Sequence, residues 1–335
     1  MAPKHRATGD ANGPYGDAEY QLASLPRRPP EPLEEDQRAA DWCARLHAAG
    51  PAFVAVGLYW SSRVDLLPAS LRRALASLQE PRFWPTPISD AMRRLDEVAG
   101  HSASSFFNPV EGDPRTADLF TEGFCAELTP DPGFDDSERL PRGARVHVVF
   151  TRPQLDDAAD ALELLPRTGA VLRSWIVTQN PAAADELIND ARRSILGALD
   201  LGQRAEALEA LADDDTHVGW NEDWDTPRVY RNLSNDALLT VEALDIQPLE
   251  WVIGAFRESP EPAQEMAQRL CCAWLRQALL GPRVPSAPRV THLAVSAAGR
   301  FSLSSGGFSR TSPKWQDRLT DYLNAVETHD PDTIL

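Results

Sequence analysis

Apolar side chains along this chain recur with two different periods, and the changes of period predict its elements. Between Glu34 and Ala49 the residues Ala39, Trp42, Cys43, Leu46 and His47 fall at helical spacing, and Gly50-Pro51 closes the run as a C-terminal stop. Ala52 to Trp60 (AFVAVGLYW) is almost continuously apolar between Gly50-Pro51 and Ser61-Ser62, which reads as a buried strand. Leu71, Leu75 and Leu78 mark a second helix with Arg72 and Arg73 on its wet side. Ser89 caps a third, which carries Met92, Leu95 and Val98 to Gly100. Prolines 109, 114, 130, 132 and 141 then interrupt any long element, leaving a loop with one short helix around Thr116 to Phe124.

Past Pro141 the pattern sharpens. Ala144–Thr151 (ARVHVVFT) and Ala170–Thr178 (AVLRSWIVT) read as strands, with a helix over Leu155–Leu165 between them and a long helix opened by Asn180-Pro181 after them. That order predicts a ferredoxin-like strand-helix-strand-helix unit. Arg228–Leu244 fits strand and helix equally. Pro248–Arg257 and Pro262–Leu280 read as helices, Val290–Ser305 as a hairpin turning at Ala297-Ala298-Gly299, and Ser312-Pro313 starts a last helix. The fold class is therefore mixed α+β. The expected parts are a mobile Pro/Gly-rich leader over residues 1–33, a mostly helical domain over 34–140 and a layered α/β domain over 141–335.

Charge changes the picture most. Lys+Arg number 33 and Asp+Glu 50, a net charge of −17. Glu111 to Glu138 holds nine acids and one base, and Glu209 to Asp225 holds seven acids and no base. A chain so acidic is a poor general binder of DNA or RNA, whose affinity comes mostly from Lys and Arg on phosphates. Lys4 and Lys314 are the only lysines, a skew expected of a GC-rich bacterial genome or a high-salt habitat. Lys4 lies in the leader and Lys314 at a helix start, so Schiff-base chemistry and a phosphate-binding loop with its lysine both lose support. Without a signal sequence or a spanning segment, the expected compartment is the cytoplasm and no membrane contact is expected.

The four cysteines, Cys43, Cys125, Cys271 and Cys272, have no metal-site spacing and read as buried free thiols. G-x-G-x-x-G, G-x-x-x-x-G-K, H-E-x-x-H and G-x-S-x-G are all absent, and the residues suggest no family. Three candidate sites are left. Asp213, Asp215, His217, Asp223 and Asp225 gather oxygen ligands and an imidazole in one stretch that suits a divalent cation, the one cofactor the chain suggests. Gly306, Gly307, Ser309, Arg310 and Ser312 precede a helix and suit an anion or nucleotide. Trp84, Trp220 and Trp224 fall in charged loops, where exposed aromatics anchor protein interfaces. Cys125 with His147 is the one Cys/His combination worth testing as a nucleophile pair. The leading expectation is an adaptor that binds a protein partner with a basic surface through acidic loops and loop tryptophans. The alternatives are a metal-dependent hydrolase or transferase using Asp213–Asp225 and a small-anion or nucleotide binder using Gly306–Ser312.

Overall fold

The computed structural model describes residues 32–79, 85–100, 102–113, 115–129, 143–176, 182–213, 223–256, 260–285, 290–304 and 307–328. In chain order the helices are α1 (Pro32–Ala48), α2 (Pro51–Ser61), α3 (Ala69–Ala76), α4 (Ile88–Ala99), α5 (Ala158–Leu162), α6 (Gly169–Trp175), α7 (Ala183–Leu199), α8 (Leu201–Asp213), α9 (Leu249–Ala255), α10 (Pro260–Leu280) and α11 (Pro313–Thr328). The strands are β1 (Phe107–Pro109), β2 (Thr116–Ala117), β3 (Thr121–Leu128), β4 (Arg145–Thr151), β5 (Leu238–Glu242), β6 (Ile246–Pro248), β7 (Arg283–Pro285), β8 (Leu293–Ser296), β9 (Phe301–Leu303) and β10 (Phe308–Arg310). The class is mixed α+β, as the hydrophobic periods predict. The leader expected over 1–33 lies, up to residue 31, outside the described residues.

Two compact units divide the chain, one of residues 1–83 with 152–196 and the other of 84–151 with 197–335. The first is helical. Ala52–Trp60, read above as a strand, is helix α2, buried nearly all round. A short run that is apolar on every face carries no period to tell strand from helix, and Pro51 at the first helical turn decides it. Gly57 allows α2 to pack tightly: a Cβ there would meet Leu78 Cδ1 at 2.4 Å. Of the run Ala170–Thr178 the described residues, up to Ile176, are likewise not a strand, for α6 buries Leu172 and Trp175 three residues apart. The ferredoxin-like unit therefore does not form, because its second strand is a helix.

The second unit is built on an antiparallel sheet in the order β1-β3-β4-β5, with β2 also on the β3 edge. Three of these strands come from the segment read as loop with a short helix. Their signal was hidden by a buried charge: Glu122 on β3 is 2% exposed. It is held by Arg115 at 2.8 Å and by the Thr86 N–H and hydroxyl at 2.6 and 2.9 Å. Such bonds are what make a buried carboxylate tolerable. Val146, Val148 and Phe150 of β4 face a core with Phe124, Ala126, Leu238 and, from α4, Ala91 and Leu95. Burying side chains of this size contributes about 1.5–3 kcal/mol each. The opposite face is covered by α8. Two smaller sheets, β6-β8-β9 and β10-β7, complete the unit. Among the described residues no helix is long and apolar enough to cross a membrane.

Candidate functional site

The face of the sheet under α8 carries the unusual chemistry. Side chains alternate across a strand, so with Val146, Val148 and Phe150 turned to one core, His147 and Val149 turn to the other. There Val149, Leu239 and Val241 pack against Leu201, Ala205 and Leu208 of α8, with Phe308 of β10 against the same cluster. Asp200 caps α8 by accepting the Gln203 N–H at 2.8 Å. Leu201, Arg204, Ala205 and Leu208 follow the i, i+3, i+4, i+7 stripe, so the helix that must bury its apolar side puts an arginine in it.

Arg204 is 5% exposed. Its Nη2 donates to the Leu303 carbonyl at 3.2 Å, and its buried Nε has no hydrogen-bond partner among the described residues. Burial pushes the guanidinium down to about 10, against the opposing field of the Asp118 carboxylate. Oδ1 of that carboxylate accepts the Phe120 and Thr121 N–H groups of its own loop at 2.7 and 2.6 Å. His147 lies beside the same charge. Burial first and Arg204 second hold it down to about 4, so it is neutral at pH 7. Its Nε2 sits 3.2 Å from Thr116 Oγ1, above Gly123. A Cβ on Gly123 would meet Thr116 Oγ1, His147 Nε2 and the Val148 carbonyl at 2.8–2.9 Å, so only glycine leaves the imidazole its place.

Cys125 and His147 are cross-strand partners on β3 and β4. The structure brings them together, yet no hydrogen bond joins them. Burial and then Asp113 push the thiol upward, so a neutral thiol faces a neutral imidazole and neither activates the other. The remaining expected residues do not gather here. Trp224 is 2% exposed and packs on Phe301 with ring centroids 5.9 Å apart, in a core rather than on a surface. Trp84, Trp220, Asp215, His217 and Gly306 lie outside the described residues, and Asp213 ends α8. Asp223 pairs with Arg276 and Asp225 with Arg300, each at 2.6 Å, so these two carboxylates turn to different arginines. Among the described residues no three His, Cys, Asp or Glu could hold a metal. Gly307 lies close to the backbone of Gly197, Ser309 and Arg310 are on β10, and Ser312 caps α11 by accepting the Trp315 N–H at 3.2 Å. Cys271 and Cys272, expected to be buried, are exposed on α10.

The ABC1 atypical kinase-like domain matches residues 137–335, and the chain belongs to that family. Among curated relatives, a probable protein kinase UbiB of Shewanella frigidimarina is 26% identical over 196 residues, 58% of this chain and 33% of that protein. One of Pseudomonas aeruginosa is 28% identical over 191 residues, 56% of this chain and 32% of that protein. The chain thus spans about a third of the length of these relatives. Among solved structures, Rv3197 of Mycobacterium tuberculosis, described as a complex with erythromycin, superposes with a TM-score of 0.51. That match has 17% identity and covers 78% of this chain and 61% of the other, a likeness of fold. Family membership overturns the adaptor expectation, which rested on missing catalytic signatures. A kinase-like fold is not announced by those signatures once its motif residues have changed.

The family raises the question of a magnesium nucleotide. Protein kinases transfer phosphate with a strand lysine paired to a helix glutamate, a catalytic-loop aspartate in H-R-D and a metal-binding aspartate in D-F-G. No strand of this sheet carries a lysine, and neither H-R-D nor D-F-G occurs in these 335 residues. On the α8 face of the sheet the charge near neutral His147 is that of Arg204. Among the described residues, this face of the sheet shows no such set of charged residues.

Proposed function

We propose that this chain is a kinase-like protein that holds an anionic group at Arg204, on the α8 face of its sheet, and does not transfer phosphate. One observation carries this reading: a guanidinium 5% exposed, with an unused Nε and a backbone carbonyl as its hydrogen-bond partner. A buried cation without a bonded carboxylate is costly, and an anionic ligand is the partner that removes the cost. The apolar wall of Val149, Leu239 and Phe308 supplies the water exclusion that strengthens such a pair. No metal is required, because the positive charge is the protein's own.

The test is nucleotide and phosphate binding by calorimetry, with and without Mg²⁺, alongside transfer of labelled phosphate from ATP. The expected result is binding that is independent of Mg²⁺ and weakened in Arg204→Met, with no transfer above background. Phosphate transfer that requires Mg²⁺ and is abolished by Arg204→Met would overturn the proposal.

A further inference from the structure

A second cationic feature lies in the smallest sheet of the same unit. Strands β7 and β10 pair antiparallel over three residues each, with Phe308 opposite Pro285, Ser309 opposite Val284 and Arg310 opposite Arg283. Directly opposed side chains share a face with their Cβ atoms about 4.5–5.5 Å apart, and like charges so placed repel. Here two guanidiniums meet at one end of a three-residue ladder, in a chain where acids outnumber bases by 50 to 33. Neither side chain forms a hydrogen bond or ion pair with a described residue. Arg310 is exposed and Arg283 partly so, which leaves the pair open to solvent. The neighbouring charge lowers Arg283 further than burial alone, while Glu206 on α8 opposes this from beyond ion-pair distance. Thr311 is committed to the Gly281 carbonyl, Ser312 caps α11, and Lys314 follows at the start of that helix. The local charge is therefore strongly positive.

From this juxtaposition we infer that Arg283 and Arg310 form a binding site for a phosphate monoester. A tetrahedral dianion offers two oxygens to each planar guanidinium fork and converts the repulsion between them into a bridge. A monocarboxylate brings half the charge and serves one fork well. This site is separate from Arg204 in its residues and in its exposure to solvent.

The experiment measures thermal stability and calorimetric binding of the full chain with inorganic phosphate and with O-phospho-L-serine, which distinguishes the free ion from an esterified one. Sodium chloride at matched ionic strength controls for screening of the two arginines. The expected result is stabilisation by phosphate or phosphoserine beyond that of chloride, with affinity reduced about tenfold or more in Arg310→Ala and in Arg283→Ala. Without ligand, Arg310→Ala should be at least as stable as the parent, which separates lost binding from lost folding. Arg204→Met should remove only part of the response, and adding Arg310→Ala in that background should remove the rest, so that failure of this site and failure of the Arg204 site are read apart. An effect equal to that of chloride, or one unchanged in both arginine variants, would overturn the inference.

Discussion

Replacing Arg204 by methionine should make the second unit more stable. Burial holds the guanidinium down to about 10, well below its ordinary range, which amounts to about 3 kcal/mol against the charged form in the folded state. Against this stands the bond to the Leu303 carbonyl at 3.2 Å, and a hydrogen bond from a charged donor contributes about 1.5–3 kcal/mol. Methionine keeps an unbranched apolar stem in contact with Leu201 and Leu208 and removes the charge. The balance is a gain of about 1 kcal/mol, reduced by whatever the Leu303 carbonyl loses. Amide exchange of β4, from Val146 to Phe150, reports the opening of this unit alone, and a gain of that size slows it about fivefold. Arg204→Lys should exchange faster than the parent, because an ammonium is more strongly hydrated and costs more to bury. If Arg204→Met instead speeds exchange fivefold, the guanidinium is compensated within the protein, and the argument for an external anion fails.

Gly123→Ala forces a Cβ to within 3 Å of Thr116 Oγ1, His147 Nε2 and the Val148 carbonyl, and overpacking of this kind should cost about 1–3 kcal/mol in the same exchange measurement. His147, held near 4 when folded and near 6.5 when unfolded, leaves the unfolded chain with the extra proton between those values. Stability is therefore full above about pH 6.5, falls by about 3 kcal/mol as pH drops toward 4, and His147→Gln should flatten that limb of the profile. Asp225→Asn breaks the 2.6 Å pair with partly exposed Arg300 and should cost about 0.5–1 kcal/mol by urea unfolding, where mutual repulsion of the acidic stretch alone would predict a gain. Millimolar Mg²⁺, Mn²⁺ or Ca²⁺ should leave that unfolding midpoint unchanged, and a metal-dependent rise lost in Asp223→Asn would refute the reading of these carboxylates as arginine partners.

How much of this was legible depended on whether a residue's partner lies close in sequence. Helices with stops nearby, such as Ile88–Ala99, follow from the periodic apolar residues and the left-handed Gly100 that ends them, although Ser89, read as the cap, lies inside the helix and Pro87 precedes it. Hairpin β8–β9 is likewise local, with its turn at Gly299. Phe107–Leu128 was not legible, because Glu122 breaks the apolar alternation and its neutralising partners, Arg115 and Thr86, join it only through the fold. The candidate tryptophan failed for a related reason: acids flank Trp224 in sequence, and its packing partner Phe301 is far along the chain. Arg204 did leave a signal. It is a charged residue inside the apolar stripe of α8, and a stripe position filled by arginine marks a burial that something must compensate.

That position also separates two accounts of a kinase-like domain without a kinase's residues. If the cleft had only lost its transfer chemistry, nothing would favour a charge under α8, since leucine or methionine fits the stripe of Leu201, Ala205 and Leu208 at lower cost. With the Leu303 bond counted, a buried arginine still costs about 1 kcal/mol more than a methionine, and a neutral His147 returns no charge to it. Asp118 could have supplied that charge directly, yet its carboxylate binds the N–H groups of its own turn and reaches Arg204 only as a field. Stability alone does not account for Arg204. Binding does, provided that the anion supplies more than the protein gives up, and the sign of the Arg204→Met effect should then reverse when saturating ligand is present. Parent and variant measured with and without phosphate therefore form a cycle. The parent should gain more stability with ligand than the variant, whose remaining gain is that of Arg283 and Arg310, and equal gains in both would assign the whole effect to a site other than Arg204.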